Sequence, residues 1–220
     1  MDKEKWMNAL DREFTFHEKN KLRSDDEKWS EVSLKLLKGL GVDLAMESKT
    51  IIDAGCGSRL CTWALADRNN LVGIDPLIDR YIELPFSDLN TIEHYGVPLE
   101  EMVGSIEGTT DVVICLNVLD HCLDPARVLS NLYRYLKPGG EFYLWTDLGH
   151  LDDIHEGDYS KEQLRNMIEE AGFKINRMTE GIDPYDFAFT DEKNYRRCGA
   201  PCAPGVNCIC VHARRPARQN

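Results

Sequence analysis

A chain of 220 residues, 42% of them hydrophobic, is long enough to bury one sizeable core. Its net charge of −12 argues against binding to nucleic acid, which relies on clustered Lys and Arg. No apolar run approaches the roughly 20 residues of a membrane span, and the charged first residues do not resemble a secretory signal. We therefore expect a single α/β domain in the cytoplasm, with no nucleic-acid or membrane partner.

Residues 1–45 are predicted to form a helical segment ahead of the main domain. Helix is expected around Lys3–Asp11 and again over Glu31–Leu40, with Ser30 as the N-cap and Gly41 as the stop. The aromatic residues of this segment are expected to pack against the main domain. The alternative is that the segment forms a lid over an active site.

Strands and helices alternate through residues 46–216, the predicted main domain, before a short tail at 217–220. The predicted strands are 50–54, 71–75, 103–106, 111–117, 141–146, 173–178 and 209–213. The predicted helices are 60–67, one that starts at Asp124-Pro125, and one that starts at the capping box Ser160–Gln163. This alternation predicts a doubly wound, mostly parallel seven-stranded α/β sheet with helices on both faces. A long loop before the last strand allows that strand to be antiparallel and to insert beside its predecessor.

The clearest motif is a glycine-rich turn directly after the first predicted strand. Asp53 follows the apolar run of that strand, and Gly55 and Gly57 come next; we call residues 55–57 the glycine turn. Glycine allows backbone angles that other residues avoid, and it lets a ligand approach the backbone closely. Because ligands of open α/β sheets bind outside the carboxyl ends of the strands, the turn is predicted to belong to a binding site.

Three residues around this turn indicate which ligand it takes. Asp75, which ends the second predicted strand, can accept hydrogen bonds from a ribose diol. Leu60 stands where a dinucleotide fingerprint needs a small residue. Asp53 would repel a pyrophosphate and would attract the cationic amino group of a methionine moiety, directly or through water. The pattern favours a nucleoside that carries an amino acid over a nicotinamide dinucleotide.

These motifs, taken in order, resemble those of the class I S-adenosylmethionine-dependent methyltransferases. Asp53–Gly57 is similar to the first motif of that family, and Val72–Asp75 is similar to the second. Val103–Glu107 resembles the adenine-contacting segment, and Asp111–His121 resembles the fourth-strand motif. The resemblance implies a Rossmann-like methyltransferase fold with S-adenosyl-L-methionine as the cofactor. The cofactor contacts that it implies are Asp53, Gly55, Cys56, Gly57, Asp75, Pro76, Ser105, Ile106, Glu107 and Asn117.

The family pattern is broken at two positions. Arg59 stands where the family often has a third glycine. We expect Arg59 to be a surface charge whose replacement by glycine is tolerated; contact with the methionine carboxylate is the alternative. Ser105 stands where the family often has an acidic residue, and Glu107 is the candidate replacement for it.

Methyl transfer requires alignment of the acceptor with the methyl group and removal of a proton from the acceptor. Asp120 and His121 follow the fourth predicted strand and are candidates for the base, with a packing role for His121 as the alternative. His150 and His155 lie in a loop after the fifth strand, and His155 is the preferred candidate there. A divalent-metal site in that loop is the less favoured interpretation, so no metal is expected.

The expected activity is O-methylation of a small molecule, such as a sugar, a nucleotide-sugar or a natural product. One alternative is a catalytically degenerate S-adenosylmethionine-binding partner of another protein, and another is a nicotinamide-dependent oxidoreductase. Four cysteines near the end lack the paired spacing of a firm zinc site, namely Cys198, Cys202, Cys208 and Cys210. Of these, Cys208 and Cys210 are predicted to point to one face of the last strand.

Overall fold

The computed structural model describes residues 3–19, 24–148, 159–180 and 207–217. Seven strands form one sheet. The strands are β1 (Thr50–Ala54), β2 (Asn70–Ile74), β3 (Glu93–Tyr95), β4 (Thr110–Leu116), β5 (Leu136–Leu148), β6 (Lys174–Glu180) and β7 (Asn207–Arg214). The α-helices are α1 (Lys3–Lys19), α2 (Asp26–Leu40), α3 (Ile78–Tyr81), α4 (Pro125–Tyr135) and α5 (Lys161–Glu170).

The strand order across the sheet is β3-β2-β1-β4-β5-β7-β6. Strands β1 to β5 pair in parallel, whereas β7 pairs antiparallel with both β5 and β6. The last strand therefore inserts between the two strands that precede it in the chain. The predicted doubly wound, mostly parallel sheet with an antiparallel last strand is confirmed.

Helices cover both faces of the sheet. Along β1, Ile51 packs in the core that includes α2, and its neighbour Ile52 packs in the core that includes α4 and α5. Successive side chains of a strand point to opposite faces, so a central parallel strand must be apolar throughout. Cys208 and Cys210 on β7 both lie in the core on the α2 face, as predicted from their spacing. None of the helices in the described ranges is long and apolar enough to span a membrane.

Several predicted elements differ from the structure. Helix α1 extends eight residues beyond the predicted helix, and β5 begins five residues before the predicted strand. Helix α2 begins five residues earlier than expected, because the side chain of Asp25 accepts a hydrogen bond from Lys28 N–H and caps the helix there. The predicted strand at 103–106 is wrong; a 3₁₀ helix occupies Gly104–Ile106, and β3 lies ten residues upstream. The predicted helix at 60–67 is replaced by turns and a 3₁₀ helix over Trp63–Arg68.

This 3₁₀ helix begins at Trp63, three residues later than the predicted helix, because of long-range contacts. The carbonyl of Cys61 accepts a hydrogen bond from the Ser33 hydroxyl at 2.6 Å. The N–H of Thr62 donates to Asp53 at 2.9 Å. Because side chains from α2 and β1 hold these two backbone groups, the chain does not form an α-helix directly after the glycine turn.

Candidate active site

The carboxyl ends of three neighbouring strands bring the predicted site together. Ala54 at the end of β1 is aligned with Ile74 on β2 and with Cys115 on β4. The glycine turn, Asp75 and the segment after β4 therefore start side by side. This is the edge of an open α/β sheet where ligands bind.

Both glycines of the turn are required by the backbone and by close neighbours. Gly55 has φ +73° and Gly57 has φ +61°, in the left-handed region that other residues rarely adopt. A Cβ atom on Gly55 would fall well inside contact distance of the Val118 methyl groups. A Cβ atom on Gly57 would similarly overlap the imidazole of His17, which comes from α1.

Asp53 is buried and holds the segment that follows the glycine turn. Its Oδ2 accepts hydrogen bonds from the N–H and the hydroxyl of Thr62, both at 2.9 Å, and the Cys61 thiol lies 3.1 Å from each oxygen. Burial raises the pKa of Asp53, while the hydrogen bonds from Cys61 and Thr62 lower it. Asp53 thus holds residues 61 and 62 in place, and its contact with the methionine amino group, directly or through water, stays a prediction.

Asp75 holds the turn from the neighbouring strand. Its Oδ2 accepts the Gly57 N–H at 3.0 Å and its Oδ1 accepts the Leu77 N–H at 2.9 Å. Each oxygen of an ionised carboxylate can accept more than one hydrogen bond, so the contacts to the backbone are compatible with a ribose diol as a further donor. Asp75 therefore fits the ribose of the cofactor that the sequence implies. Pro76 follows it and is half-buried at the same edge.

Cys56 lies in the middle of the turn and is buried. Its N–H points to Ile74 O at 3.3 Å, and its sulfur lies next to Gly73 on β2. The turn is thus tied to the end of β2 by backbone contacts as well as by Asp75. These contacts give Cys56 a packing role, and its backbone stays part of the predicted cofactor seat.

Sequence reasoning missed His17, which reaches the turn from α1. Its Nδ1 accepts the Ser58 N–H at 3.1 Å and contacts the Ser58 hydroxyl at 2.8 Å. The side chain is buried, although it lies among charged residues in the sequence. The one available signal was that Phe14 and His17 lie on the same face of a helix, where both contact Tyr81.

Arg59 is a buried cation rather than the expected surface charge. Only 2% of its surface is exposed. Its guanidinium pairs with Asp88 through two hydrogen bonds and with Asp26 of α2 through a third. Burial raises the pKa of Asp88, and the hydrogen bonds and charge of Arg59 act in the opposite direction. Arg59, where the sequence departs from the family pattern, therefore acts as a structural clamp between Asp88 and Asp26.

Ser105, Ile106 and Glu107 were expected to contact the cofactor because a strand was predicted at 103–106, and the structure has a 3₁₀ helix there instead. They do not follow a strand. Ile106 is buried in the core on the α4 face. Glu107 is exposed and forms two hydrogen bonds with Arg134 near the end of α4, which lower its pKa. That pair lies close to where β4 begins, away from the carboxyl edge of the sheet.

The residues after β3 take the place that was expected for the 103–107 segment. Tyr95 ends β3, and its carbonyl accepts the Asp75 N–H at 3.2 Å. The Tyr95 hydroxyl contacts the Ser105 hydroxyl at 3.1 Å, which links Ser105 to the site indirectly. Residues 95–97 are therefore the candidates for the wall beside the nucleoside. Sequence analysis missed them because β3 has only three residues and no apolar run.

Asn117 marks the end of β4 with an unusual backbone. It has φ +54°, a conformation that Asn tolerates better than most residues, and its N–H bonds to Trp145 O at 2.8 Å. Such left-handed non-glycine residues concentrate at functional sites. Asn117 turns the chain into the short 3₁₀ helix Leu119–His121, which carries the predicted catalytic residues.

Asp120 and His121 lie together after this turn. His121 Nε2 is 3.8 Å from Asp120 Oδ2, and the His121 side chain is about a quarter exposed whereas Asp120 is fully buried. The Thr146 hydroxyl donates to Asp120 Oδ1 at 3.1 Å and contacts the Tyr159 hydroxyl at 3.2 Å. Because the Thr146 hydroxyl gives its single proton to Asp120, the Tyr159 hydroxyl is the donor to Thr146. Burial and the nearby Asp120 raise the pKa of Tyr159. Thr146 and Tyr159 were not predicted as site residues.

Some predictions fall outside the described residues. His150 and His155 lie in 149–158, and Cys198 and Cys202 lie in 181–206, so their candidate roles stay predictions. Within the ranges that the structure describes, no group of three or more His, Cys, Asp or Glu side chains could hold a metal ion. Burial raises the pKa of Cys115 and of Cys122, which keeps these two thiols protonated near the site.

Comparison with known proteins agrees with this geometry. Residues 22–177 match a family described as a methyltransferase domain. A ubiquinone biosynthesis O-methyltransferase of Psychrobacter arcticus is 31% identical over 198 residues, which cover 76% of this chain and 76% of that protein. A protein of the same name from Pseudomonas paraeruginosa is 34% identical over 106 residues, which cover 46% of this chain. The chain spans just 45% of that relative's length.

Solved structures share the fold. An S-adenosylmethionine-dependent methyltransferase from Mesorhizobium loti superposes with a TM-score of 0.58 at 18% identity, over 77% of this chain and 92% of that one. A 1,6-didemethyltoxoflavin-N1-methyltransferase from Burkholderia thailandensis, solved with S-adenosylhomocysteine, has a TM-score of 0.59 at 16% identity over 98% of this chain and 91% of that one. The oxidoreductase alternative finds no support in these relatives. The chain belongs to the family described as a methyltransferase domain.

Proposed function

We propose that the protein transfers the methyl group to a hydroxyl oxygen of a small molecule. The observation that carries this proposal is the Asp120–His121 pair at the carboxyl end of β4, the strand beside β1 and its glycine turn. An oxygen acceptor needs a base because a hydroxyl group is a weak nucleophile until its proton is removed. The relatives named as O-methyltransferases support the same acceptor atom.

The two residues have distinct proposed roles. S-adenosylmethionine, when bound, supplies the methyl group and a sulfonium leaving group. His121 is partly exposed and accepts the proton of the acceptor hydroxyl. Asp120 is buried 3.8 Å away and stabilises the imidazolium that forms. Thr146 fixes the Asp120 carboxylate from β5 through a hydrogen bond.

The remaining cofactor contacts are proposed from the positions of these residues at the carboxyl edge of the sheet. Asp75 accepts hydrogen bonds from the ribose, the glycine turn supports the methionine moiety, and residues 95–97 flank the adenine. Asn117 follows β4 and precedes the catalytic pair in the chain, and it is a further proposed contact. His155, which was also predicted as a base, stays a second candidate in the loop after β5.

The two features that suggested a degenerate, non-catalytic protein have structural explanations. Arg59 is held by Asp88 and Asp26, and Ser105 is bonded to Tyr95. Neither residue blocks the edge where the cofactor is proposed to bind. Both departures from the family pattern are therefore compatible with an active enzyme.

The test is methyl transfer from S-adenosylmethionine to a panel of acceptors, followed by mass spectrometry. The panel holds hydroxylated aromatics, sugars and nucleotide-sugars, with matched primary amines for comparison. We expect hydroxyl acceptors to be methylated and amines to be inert. Methylation of the amines alone would contradict the proposed oxygen acceptor.

Variants then test the assigned base. His121→Ala and Asp120→Asn are expected to lower kcat by about 100-fold or more, since that is the usual contribution of general base catalysis. The Kd for S-adenosylhomocysteine should change less than about twofold. His212→Ala is the matched control, because His212 stacks on Tyr143 away from this edge. A His121→Ala variant with unchanged kcat would show that the base lies elsewhere.

A further inference from the structure

Side chains accept hydrogen bonds from two consecutive backbone N–H groups, that of the last residue of the glycine turn and that of Ser58 directly after it. Asp75 accepts the Gly57 N–H at 3.0 Å and His17 Nδ1 accepts the Ser58 N–H at 3.1 Å. His17 is separated from Ser58 by 41 residues in the sequence and is 4% exposed. A contact of this kind joins the N-terminal segment directly to the backbone of the cofactor site.

The hydrogen bonds of His17 define a single form of its ring. Because Nδ1 accepts a backbone N–H, it carries no proton. The Ser58 hydroxyl then donates to the same nitrogen at 2.8 Å. The other ring nitrogen, Nε2, carries the proton and donates to Glu13 Oε1 at 3.2 Å. His17 is therefore a neutral imidazole in one tautomer, with a partner at each nitrogen.

The seat of the imidazole is shaped for it. A Cβ atom on Gly57 would overlap His17 Cε1, so the second glycine of the turn makes room for the ring. The ring also packs against Tyr81, with the centroids 4.9 Å apart. Tyr81 is fully buried and ends α3, which begins three residues after Asp75. Asp75 and His17 are thus anchored by one short stretch of chain.

Additional contacts fix α1 in this position. Phe14 stacks on Tyr81 with the ring centroids 5.8 Å apart. Arg80 of α3 pairs with Asp11 at 2.6 Å, and its guanidinium lies 3.9 Å above the Phe14 ring. Helix α1 therefore docks on α3 through a specific set of side chains, and His17 is the one that reaches the turn.

We propose that His17 is a positioning residue of the cofactor site. By holding the Ser58 N–H and hydroxyl, it fixes the glycine turn in the shape that seats the methionine end of the cofactor. This inference rests on the proposed function, in which the cofactor lies on that turn. It gives the N-terminal segment a role in cofactor affinity through one hydrogen-bonded side chain.

Three substitutions of His17 separate this role from simple packing. His17→Leu removes the acceptor and is expected to weaken binding of S-adenosylhomocysteine about tenfold, since a buried N–H loses its partner. His17→Asn keeps an acceptor at the δ position, where Nδ1 lies, and should bind within about threefold of the wild type. His17→Gln moves the acceptor to the ε position and should bind as weakly as His17→Leu. Calorimetry gives each Kd, and the melting temperatures check that all variants are folded.

The controls distinguish a failure of the proposed function from a failure of the proposed role of His17. Thr15→Ala, at an exposed position of the same helix, should bind S-adenosylhomocysteine like the wild type. A wild-type protein that fails to bind the ligand would overturn the proposed function itself. Wild-type binding with an unchanged or tighter Kd in His17→Leu would overturn the role of His17 alone. Equal Kd values for His17→Asn and His17→Gln would also overturn it, because the position of the acceptor would not matter.

Discussion

Arg59 and Asp88 form a two-point ion pair directly after the glycine turn. Arg59 Nε donates to Asp88 Oδ2 at 3.0 Å, and Nη2 donates to Oδ1 at 2.9 Å. Nη1 of the same guanidinium donates to Asp26 at 2.7 Å. One side chain thus ties the turn to the first residue of α2 and to the segment between α3 and β3.

Replacement of Arg59 is expected to destabilise the fold. Arg59→Gly and Arg59→Ala leave the buried Asp88 carboxylate without its cation, which costs about 3 kcal/mol of unfolding free energy. Urea denaturation monitored by circular dichroism measures this. Arg68→Ala is the matched control, because the Arg68 pair with Glu47 is exposed and contributes under about 1 kcal/mol. Equal losses in the two alanine variants would contradict the clamp.

Gly55 is expected to be far less tolerant of a methyl group than Gly104. Gly55→Ala forces a residue with φ +73° to carry a Cβ atom against Val118, and we expect a loss of about 2 kcal/mol. In a chain of this length that lowers the Tm by roughly 4–8 °C. Gly104→Ala has open space around its Cβ atom and should leave the Tm nearly unchanged.

A double variant isolates the contact from the backbone strain. Val118→Ala in the Gly55→Ala background removes the methyl groups that the new Cβ atom would meet. The double variant should therefore be more stable than the sum of the single effects predicts. Strict additivity would mean that Val118 does not constrain Gly55.

Asp111 is expected to make stability depend on pH in the acid range. Burial tends to raise its pKa, but the hydrogen bond from the Thr50 N–H and the Lys137 ammonium, 2.9 Å away, lower it below 3.8 overall. A lowered pKa in the folded state means that the contribution is fully present above pH 3.8 and is lost as the pH falls further.

The comparison of wild type with Asp111→Asn measures this contribution. Asparagine keeps an acceptor for the Thr50 N–H, so the substitution removes mainly the charge. The wild type should be more stable by about 1 kcal/mol at pH 6, and the difference should shrink as the pH falls below 4. A difference that stays constant down to pH 3, measured by urea denaturation, would contradict the assignment.

Local sequence patterns predicted the centre of this protein well. The apolar run before Asp53 and the two glycines located β1 to the residue and placed the turn at its end. Asp124 and Ser160 were recognised as helix caps because capping depends on neighbours within one turn of helix. These features are determined by residues that are close in the chain.

Long-range contacts could not be predicted in the same way. Arg59 follows a turn in the sequence and resembles a solvent-exposed charge, yet Asp88 is 29 residues away and Asp26 is 33 residues away. His17 shows no motif at all. Strand β3 was not predicted, because a strand of three residues at the sheet edge needs no apolar pattern. Sequence patterns therefore pointed to residues 103–107 for the wall beside the nucleoside, whereas the position of β3 makes 95–97 our proposed wall.

In the proposed complex the cofactor binds at the glycine turn with its ribose on Asp75. Calorimetric titration of S-adenosylhomocysteine into wild type, Asp75→Asn and the exposed control Asp67→Asn tests it most directly. We expect one saturable site per chain in the wild type and the control. Binding should weaken at least about tenfold in Asp75→Asn, because the side chain loses its charge and half of its acceptor capacity. Unchanged affinity in Asp75→Asn would contradict the proposed complex.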